Sequence, residues 1–426
     1  MGNPLKSIEI ANGVSFNTII DKRFKTNRIS INFVTELKNE TVTVNALIPQ
    51  LLKKGYVGCE NYTELNRKLE ELYGAYINAD VHKKGDYQIL TLCITGIDDR
   101  FSLENESIIQ KTSDILCNMA LKPIIEDGGF SKQYVELEKK SLIDSIDAEL
   151  NEKRVYSINS AIQLMCKEEP YGLPMHGFKD RVLEITPQSA KQQYDNILET
   201  ARIEIMFTGC GDDTGAINVF TKAFQSLNRE YSVIPPILAH IPAQTVTEEI
   251  ENMPVSQSKM VLGFSAQVTS KDMLAPAMRL MVAVLGGTPS AKLFVNVREK
   301  LSLCYYCAAH YDISKGIITI DSGVENQNIQ KAREEILIQL DLMKKGDFTD
   351  DEIGNATLSL KNAFSSVYEH ASSIEGFYLG QILSGMLSSP DAEKLKLDSI
   401  TRQEIIDAAN KVTLDTVYIL TANEVK

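Results

Sequence analysis

The chain has 426 residues, 43% of them hydrophobic, which admits two or three domains and sizeable cores. Its formal net charge is −13, from 57 acidic and 44 basic side chains, so neither broad nucleic-acid binding nor an anionic membrane surface is expected. Seven scattered cysteines, an odd count, read as free thiols in a reducing cytoplasm.

The chain opens with MGNPLKSIEI, which has no apolar stretch of a secretory signal, and Lys6 breaks the myristoylation pattern. No run approaches the roughly 20 apolar residues that span a bilayer, so a cytoplasmic protein is expected. "VSFNTIID" and "RISINFV" alternate as strands. "NALIPQLLKKGY", 45–56, has Leu47, Ile48, Leu51 and Leu52 at helical spacing and Gly55 as a stop. Pro49 sits inside that helix, where it removes a backbone donor. "NYTELNRKLEELYG" is a well-signalled helix: Asn61 and Glu64 fit a capping box, Leu65, Leu69, Leu72 and Tyr73 form the stripe, and Gly74 ends it.

The chain repeats itself once. "LNRKLEELYGAYINADVH" and "LFVNVREKLSLCYYCAAH" match at an offset of 228, ending at His82 and His310. "FSKQYVELEKKSLIDS" and "FTDDEIGNATLSLKNA" match from Phe130 and Phe348, and both read as helix starts with acidic first turns. "EITPQSAKQQYDNI" and "SITRQEIIDAANKV" match at Ile185 and Ile400, each with Thr capping a helix that leads into a strand. Three matches in order predict two copies of one domain. The predicted division is an N-terminal domain over 1–232, a linker over 233–259 with four prolines, and a C-terminal domain over 260–426. The fold class expected is α+β, two homologous α/β sandwiches of mostly antiparallel sheet covered by helices.

The chemistry is sparse. The five histidines are His82, His176, His240, His310 and His370, and no two lie four apart, so no helical zinc pair exists. Cys304 and Cys307 form a C-x-x-C within an alternating stretch, where positions three apart point to opposite faces; two buried, inert thiols are expected. "LGGTPSAK" is not a phosphate loop, and Thr288 with Pro289 reads as the N-cap and N1 of the next helix. No G-x-S-x-G elbow occurs. One pair stands out. Arg298 ends a helix and Tyr305 follows across a turn, so both donors could converge on a carbonyl or oxyanion. The plainer reading is a surface arginine and a core tyrosine.

"NYTELNRKLEELYGAYINADV", "PYGLPMHG" (170–177) and above all "LGGTPSAKLFVNVREKLSLCYY" resemble segments of the insulinase/pitrilysin-type zinc peptidases, the family of the mitochondrial processing peptidases. The resemblance covers nearly the whole chain. It implies two homologous domains arranged as one half of a clamshell. In active members the helix ending in K-G carries H-x-x-E-H. Anchored on Gly55, those slots fall on Ala46, Pro49 and Gln50, and the third ligand, seven after Glu138, falls on Ser145. Alanine, proline and serine cannot replace these groups, and glutamine is a poor zinc ligand. A shifted alignment does not restore the motif, because no histidine precedes His82.

Arg298 and Tyr305 match the family's arginine–tyrosine pair, which helps hold the substrate backbone and the tetrahedral intermediate. The resemblance therefore implies a chain with no metal or cofactor of its own and no activity in isolation. Some bacterial pairs divide the zinc half and the arginine–tyrosine half between two chains. The leading expectation is the zinc-less subunit of such a heterodimer, with zinc in a paralogous partner and a peptide or unfolded polypeptide as substrate. The alternative is a non-enzymatic peptide-binding or scaffold protein, in which the pair is a relic, with a link to elongation factor P modification. A metallopeptidase using other ligands is the remaining possibility.

Overall fold

The computed structural model describes residues 5–422. The start of MGNPLKSIEI and the last four residues of the expected C-terminal domain lie outside the described residues. The chain forms two compact units, and neither is one contiguous stretch. The first comprises residues 1–146, 173–236 and 368–383; the second comprises 147–172, 237–367 and 384–426. The linear division at 232 and 260 is therefore corrected: residues 147–172 and 368–383 each pack in the unit built mainly from the other half of the chain.

The first unit starts with β1 (Leu5–Ala11), β2 (Val14–Ile20) and β3 (Thr26–Glu36). Helices α1 (Val42–Leu52) and α2 (Tyr62–Glu71) lead into the hairpin β4 (Tyr76–Lys84) and β5 (Tyr87–Ile97). Asn61 caps α2 by accepting the Glu64 amide hydrogen. Next come α3 (Ile108–Leu121), the short pair β6 (Ile125–Glu126) and β7 (Gly129–Phe130), and α4 (Lys132–Asn151). The first turn of α4 holds no acid, contrary to expectation, because the helix begins at Lys132 and its first glutamate is Glu136. Helix α5 (Lys153–Met165) belongs to the second unit. The first unit resumes with α6 (Lys179–Glu184), α7 (Pro187–Thr200), β8 (Arg202–Gly209) and α8 (Thr214–Gln225).

The second unit continues with β9 (Thr247–Asn252), inside the stretch expected as linker, and β10 (Ser258–Ser265). Helix α9 (Ala275–Val282) runs on as a π-helical turn over Ala283–Gly287. A second π-helical segment, Phe294–Lys300, leads to β11 (Cys304–Asp312) and β12 (Ile317–Val324). Helices α10 (Ile329–Lys345), α11 (Asp350–Ser366), α12 (Ala371–Ser384, mostly in the first unit), α13 (Pro390–Asp398) and α14 (Arg402–Lys411) precede β13 (Thr413–Thr421).

Five strands of the first sheet recur in the same order in the second, and β1 is an extra edge strand. The first runs β1-β2-β8-β3-β5-β4, with only β2 and β8 parallel. The second runs β9-β13-β10-β12-β11, with only β9 and β13 parallel. Each edge strand β4 or β11 thus follows the helix that the first sequence match pairs, and the remaining matches pair α4 with α11 and α7 with α14. Both Thr186 and Thr401 close full capping boxes at α7 and α14.

Alternation along the strands gives each sheet two buried faces. In the second unit Met260, Leu262 and Phe264 join the main core, whereas Val261 packs with Ala161 of α5 and with Tyr418 and Leu420. In the first unit Ile29 and Ile31 face the core. Between them Ser30 donates to buried Glu375 of α12 at 2.8 Å, and Arg28 pairs with the same carboxylate at 2.8 Å. No helix among the described residues is long and apolar enough to cross a membrane.

Candidate functional site

Ala46, Pro49, Gln50 and Ser145, the four positions expected to correspond to the metal motif, are built into the first unit as ordinary structure. Helix α1 is continuous through Pro49, with Thr41 as N-cap. Ala46 and Pro49 are buried, and Leu47, Ile48, Leu51 and Leu52 fill the core around them. Gln50 donates from Nε2 to the Ala79 carbonyl of β4 at 2.9 Å. Ser145, exposed on α4, donates back to the Ser141 carbonyl of its own helix at 2.9 Å. Glu138 is ion-paired with Lys54, which follows α1. A zinc ion does not fit this set. The amide is committed to a backbone carbonyl, the hydroxyl to its own helix, and the remaining two positions offer no donor atom.

The Arg298–Tyr305 segment is held on the second unit by close packing. A β-carbon on Gly286 would lie 2.8 Å from the Ala309 methyl and 2.9 Å from its amide nitrogen, so glycine lets the helix touch β11. Thr288 and Pro289 do not cap the following helix. They form a turn closed by the Ala291 amide on the Thr288 carbonyl at 3.1 Å, and the helix starts after Ala291. The following helix is wound as a π-helix over Phe294–Lys300, a form common at functional sites. Its end is strapped to the strand: Leu303 N donates to Val297 O at 3.0 Å and Ser302 N to Arg298 O at 3.1 Å, with Ser302 in the left-handed region at φ +51°.

Arg298 is exposed, and its guanidinium lies 4.4 Å from the centre of the Phe294 ring. Among the described residues it has no carboxylate partner. In β11, Cys304 pairs with Val324 and Tyr306 with Gly323, so Tyr305 is the extra residue of a β-bulge. A bulge re-aims its side chain, and Tyr305 is 66% exposed. The more buried of the two is its neighbour, Tyr306, half-buried, whose ring lies 4.4 Å from the Arg154 guanidinium. Arg154 in turn pairs with buried Asp321 at 2.5 Å.

The bulge also corrects the reading of the two cysteines. The extra residue shifts the alternation, so Cys304 and Cys307 both face the main core of the second unit, 8% and 5% exposed. A hydrogen bond from Cys307 outweighs burial and, with the charge of Arg298, draws the Cys304 thiol below its ordinary value. Arg298 therefore sits within electrostatic reach of the residue preceding Tyr305. No hydrogen bond joins Arg298 to Tyr305 among the described residues. The signal for the bulge, polar and apolar residues falling out of period after Leu303, is present in the sequence but too short to read without the partner strand.

Comparison with known proteins points to the family. The model of the peptidase M16 inactive domain matches residues 184–360, which include the whole Arg298–Tyr305 segment. A probable inactive metalloprotease of Bacillus subtilis is 29% identical over 99% of this chain and 98% of its own length. By these matches the chain is similar to the peptidase M16 family, the insulinase/pitrilysin type. Among solved structures, a conserved protein of Enterococcus faecalis shares the M16-type fold with a TM-score of 0.92 at 23% identity, over 99% of both chains. A peptidase M16 inactive domain from Pseudomonas fluorescens shares it with a TM-score of 0.81 at 14% identity, again over 99% of both chains. The chain is thus an M16-type, metalloprotease-like protein that lacks the family's zinc ligands.

Proposed function

We propose that this M16-type chain is the non-catalytic subunit of a two-chain peptidase. It presents Arg298 and Tyr305 to a peptide or unfolded polypeptide whose scissile bond is attacked by a zinc-bearing paralogous chain. The observation that carries this reading is the asymmetry of the two motif regions. The expected metal positions are filled in, while Arg298, without a carboxylate partner among the described residues, and the exposed phenol of Tyr305 remain at the strapped helix end and the bulged strand. Both groups donate hydrogen bonds, and neither can generate a nucleophile alone. Their chemistry suits charge stabilisation on a carbonyl oxygen, with the attacking water and its metal supplied by the partner. The chain itself holds no metal in this role and does not hydrolyse peptides alone.

The test is to co-express the tagged chain with candidate paralogues carrying H-x-x-E-H and assay peptide cleavage by the co-purified pair. Cleavage by the pair, absent from either chain alone, supports the reading. It fails if the pair forms but Arg298→Ala cleaves as fast as wild type. Recovery of this chain alone, or with an unrelated client, would instead favour a peptide-binding scaffold.

A further inference from the structure

The second unit holds a second chemical cluster, remote in sequence from both motif regions. Cys166 ends α5 as its C-cap, with its amide on the Ile162 carbonyl at 2.9 Å. The chain then turns tightly: Glu169 N donates to Cys166 O at 2.9 Å and Gly172 N to Glu169 O at 3.0 Å. A β-carbon on Gly172 would fall 2.3 Å from the Cys166 carbonyl oxygen, so glycine is required for the turn to close. Across from it runs the extended segment after Ile237, pinned by the His240 amide on the Lys315 carbonyl at 2.8 Å. His240 Nδ1 lies 2.6 Å from Glu169 Oε1 and 3.8 Å from Cys166 Sγ. One donor atom from each of the three residues falls within 4.8 Å of the others.

The opposite nitrogen is also committed. His240 Nε2 lies 3.2 Å from Asp415 Oδ2, and Asp415 is itself fixed by the Ala243 amide at 2.6 Å and the Thr416 hydroxyl at 2.8 Å. A carboxylate on one imidazole nitrogen sets the tautomer and turns the other nitrogen's lone pair toward a metal. We propose that Cys166, Glu169 and His240 form a binding site for one zinc-class divalent cation, oriented by Asp415 and separate from the family's zinc motif.

Three ligands of thiolate, imidazole and carboxylate suit a borderline-soft ion rather than magnesium or calcium. Three protein ligands leave one tetrahedral position for a non-protein ligand such as water. The charge accounting also closes. Without metal, two carboxylates face a protonated His240 and the buried Lys315 ammonium, 2.9 Å from Glu169 Oε2. Exchanging the proton on His240 Nδ1 and the thiol proton of Cys166 for one divalent cation leaves the net charge of the cluster unchanged. A simple ion-pair pin for His240 would need the carboxylates but not the thiol. The thiol aimed at the same nitrogen as Glu169 is the feature that the site explains.

The experiment uses the full chain, stripped with a chelator and titrated with Zn²⁺ and separately with Co²⁺. A single equivalent of Zn²⁺ should bind with release of about two protons at neutral pH. The Co²⁺ form should show a thiolate-to-metal charge-transfer band. Cys166→Ser should remove that band and weaken Zn²⁺ more than roughly 100-fold, and Asp415→Asn, which alters only the positioning residue, should weaken it about 10–100-fold. Cys210→Ser, outside the cluster, should change neither. No stoichiometric binding by the wild-type chain, or a wild-type Co²⁺ complex without the band, overturns the proposal with no variant needed. So does a band that survives Cys166→Ser.

Discussion

Helix α1 and the Arg298–Tyr305 segment are the two regions where the family's chemistry would sit, and their present surroundings are opposite. In α1 the vacated positions have been absorbed by the fold: Ala46 and Pro49 are buried, and Gln50 is tied to the Ala79 carbonyl. In the second region, Arg298 has no carboxylate partner among the described residues, and Tyr305 stands on a bulge, 66% exposed. An exposed arginine and tyrosine contribute little to stability, so the fold gives no reason to keep that pair on a strapped strand. The difference teaches that the two regions differ in how far the fold itself uses their side chains.

The sharpest way to break this comparison is at Arg298. Arg298→Ala should lower turnover of the assembled pair by roughly 10²–10³, as removal of one preorganised donor does. Its unfolding free energy should stay within about 0.5 kcal/mol of wild type. A urea melt shifted by several kcal/mol would show the arginine to be structural, and the contrast with α1 would collapse. The matching substitution in α1 is Ala46→His, which restores one lost ligand. It forces an imidazole into a filled core and should cost about 1–3 kcal/mol in the same melt. A neutral result would mean that the vacated site still has room, and that α1 has not been absorbed.

A smaller effect is expected at Asp321, behind the bulge. Burial opposes its charge, but hydrogen bonds from His310 and Arg154 prevail and hold the carboxyl below the usual range. Its folded pKa is depressed, so its stabilisation is present above the unfolded value near about 4 and is lost as pH falls through the folded value. Asp321→Asn should cost about 1–2 kcal/mol near neutrality, at the low end because Arg154 is 45% exposed. The gap between variant and wild type should narrow below about pH 4 in acid melts. A gap that persists there would mean that the ion pair is not what steadies β11.

What the sequence revealed follows from the range over which each feature is encoded. The repeat and the caps at Asn61, Thr186 and Thr401 rest on local spacing and were legible. The absence of an H-x-x-E-H motif needed only residue identities. The bulge at Tyr305 depends on register against β12, so the facing of Cys304 and Cys307 was misread. The unit boundaries depend on where α5 and α12 pack, which periodicity does not encode. Single contacts in the cluster around His240 span up to 175 positions, and a lone histidine in a proline-rich stretch gave no sign of it.

The finest distinction lies between adjacent tyrosines. Tyr306 packs under Arg154, and Tyr305 contacts solvent, although the two are neighbours in sequence. Tyr305→Phe removes a single hydroxyl that the fold does not use. It should leave the melt within about 0.5 kcal/mol of wild type and slow the assembled pair by about tenfold or less, the worth of one hydrogen bond. Tyr306→Ala, by contrast, should destabilise by about 1 kcal/mol through lost packing and lost attraction to Arg154. If the rate loss follows Tyr306 rather than Tyr305, the bulge serves to seat the inner ring. The exposed phenol would then be a by-product of that register, and Arg298 would be left to act alone.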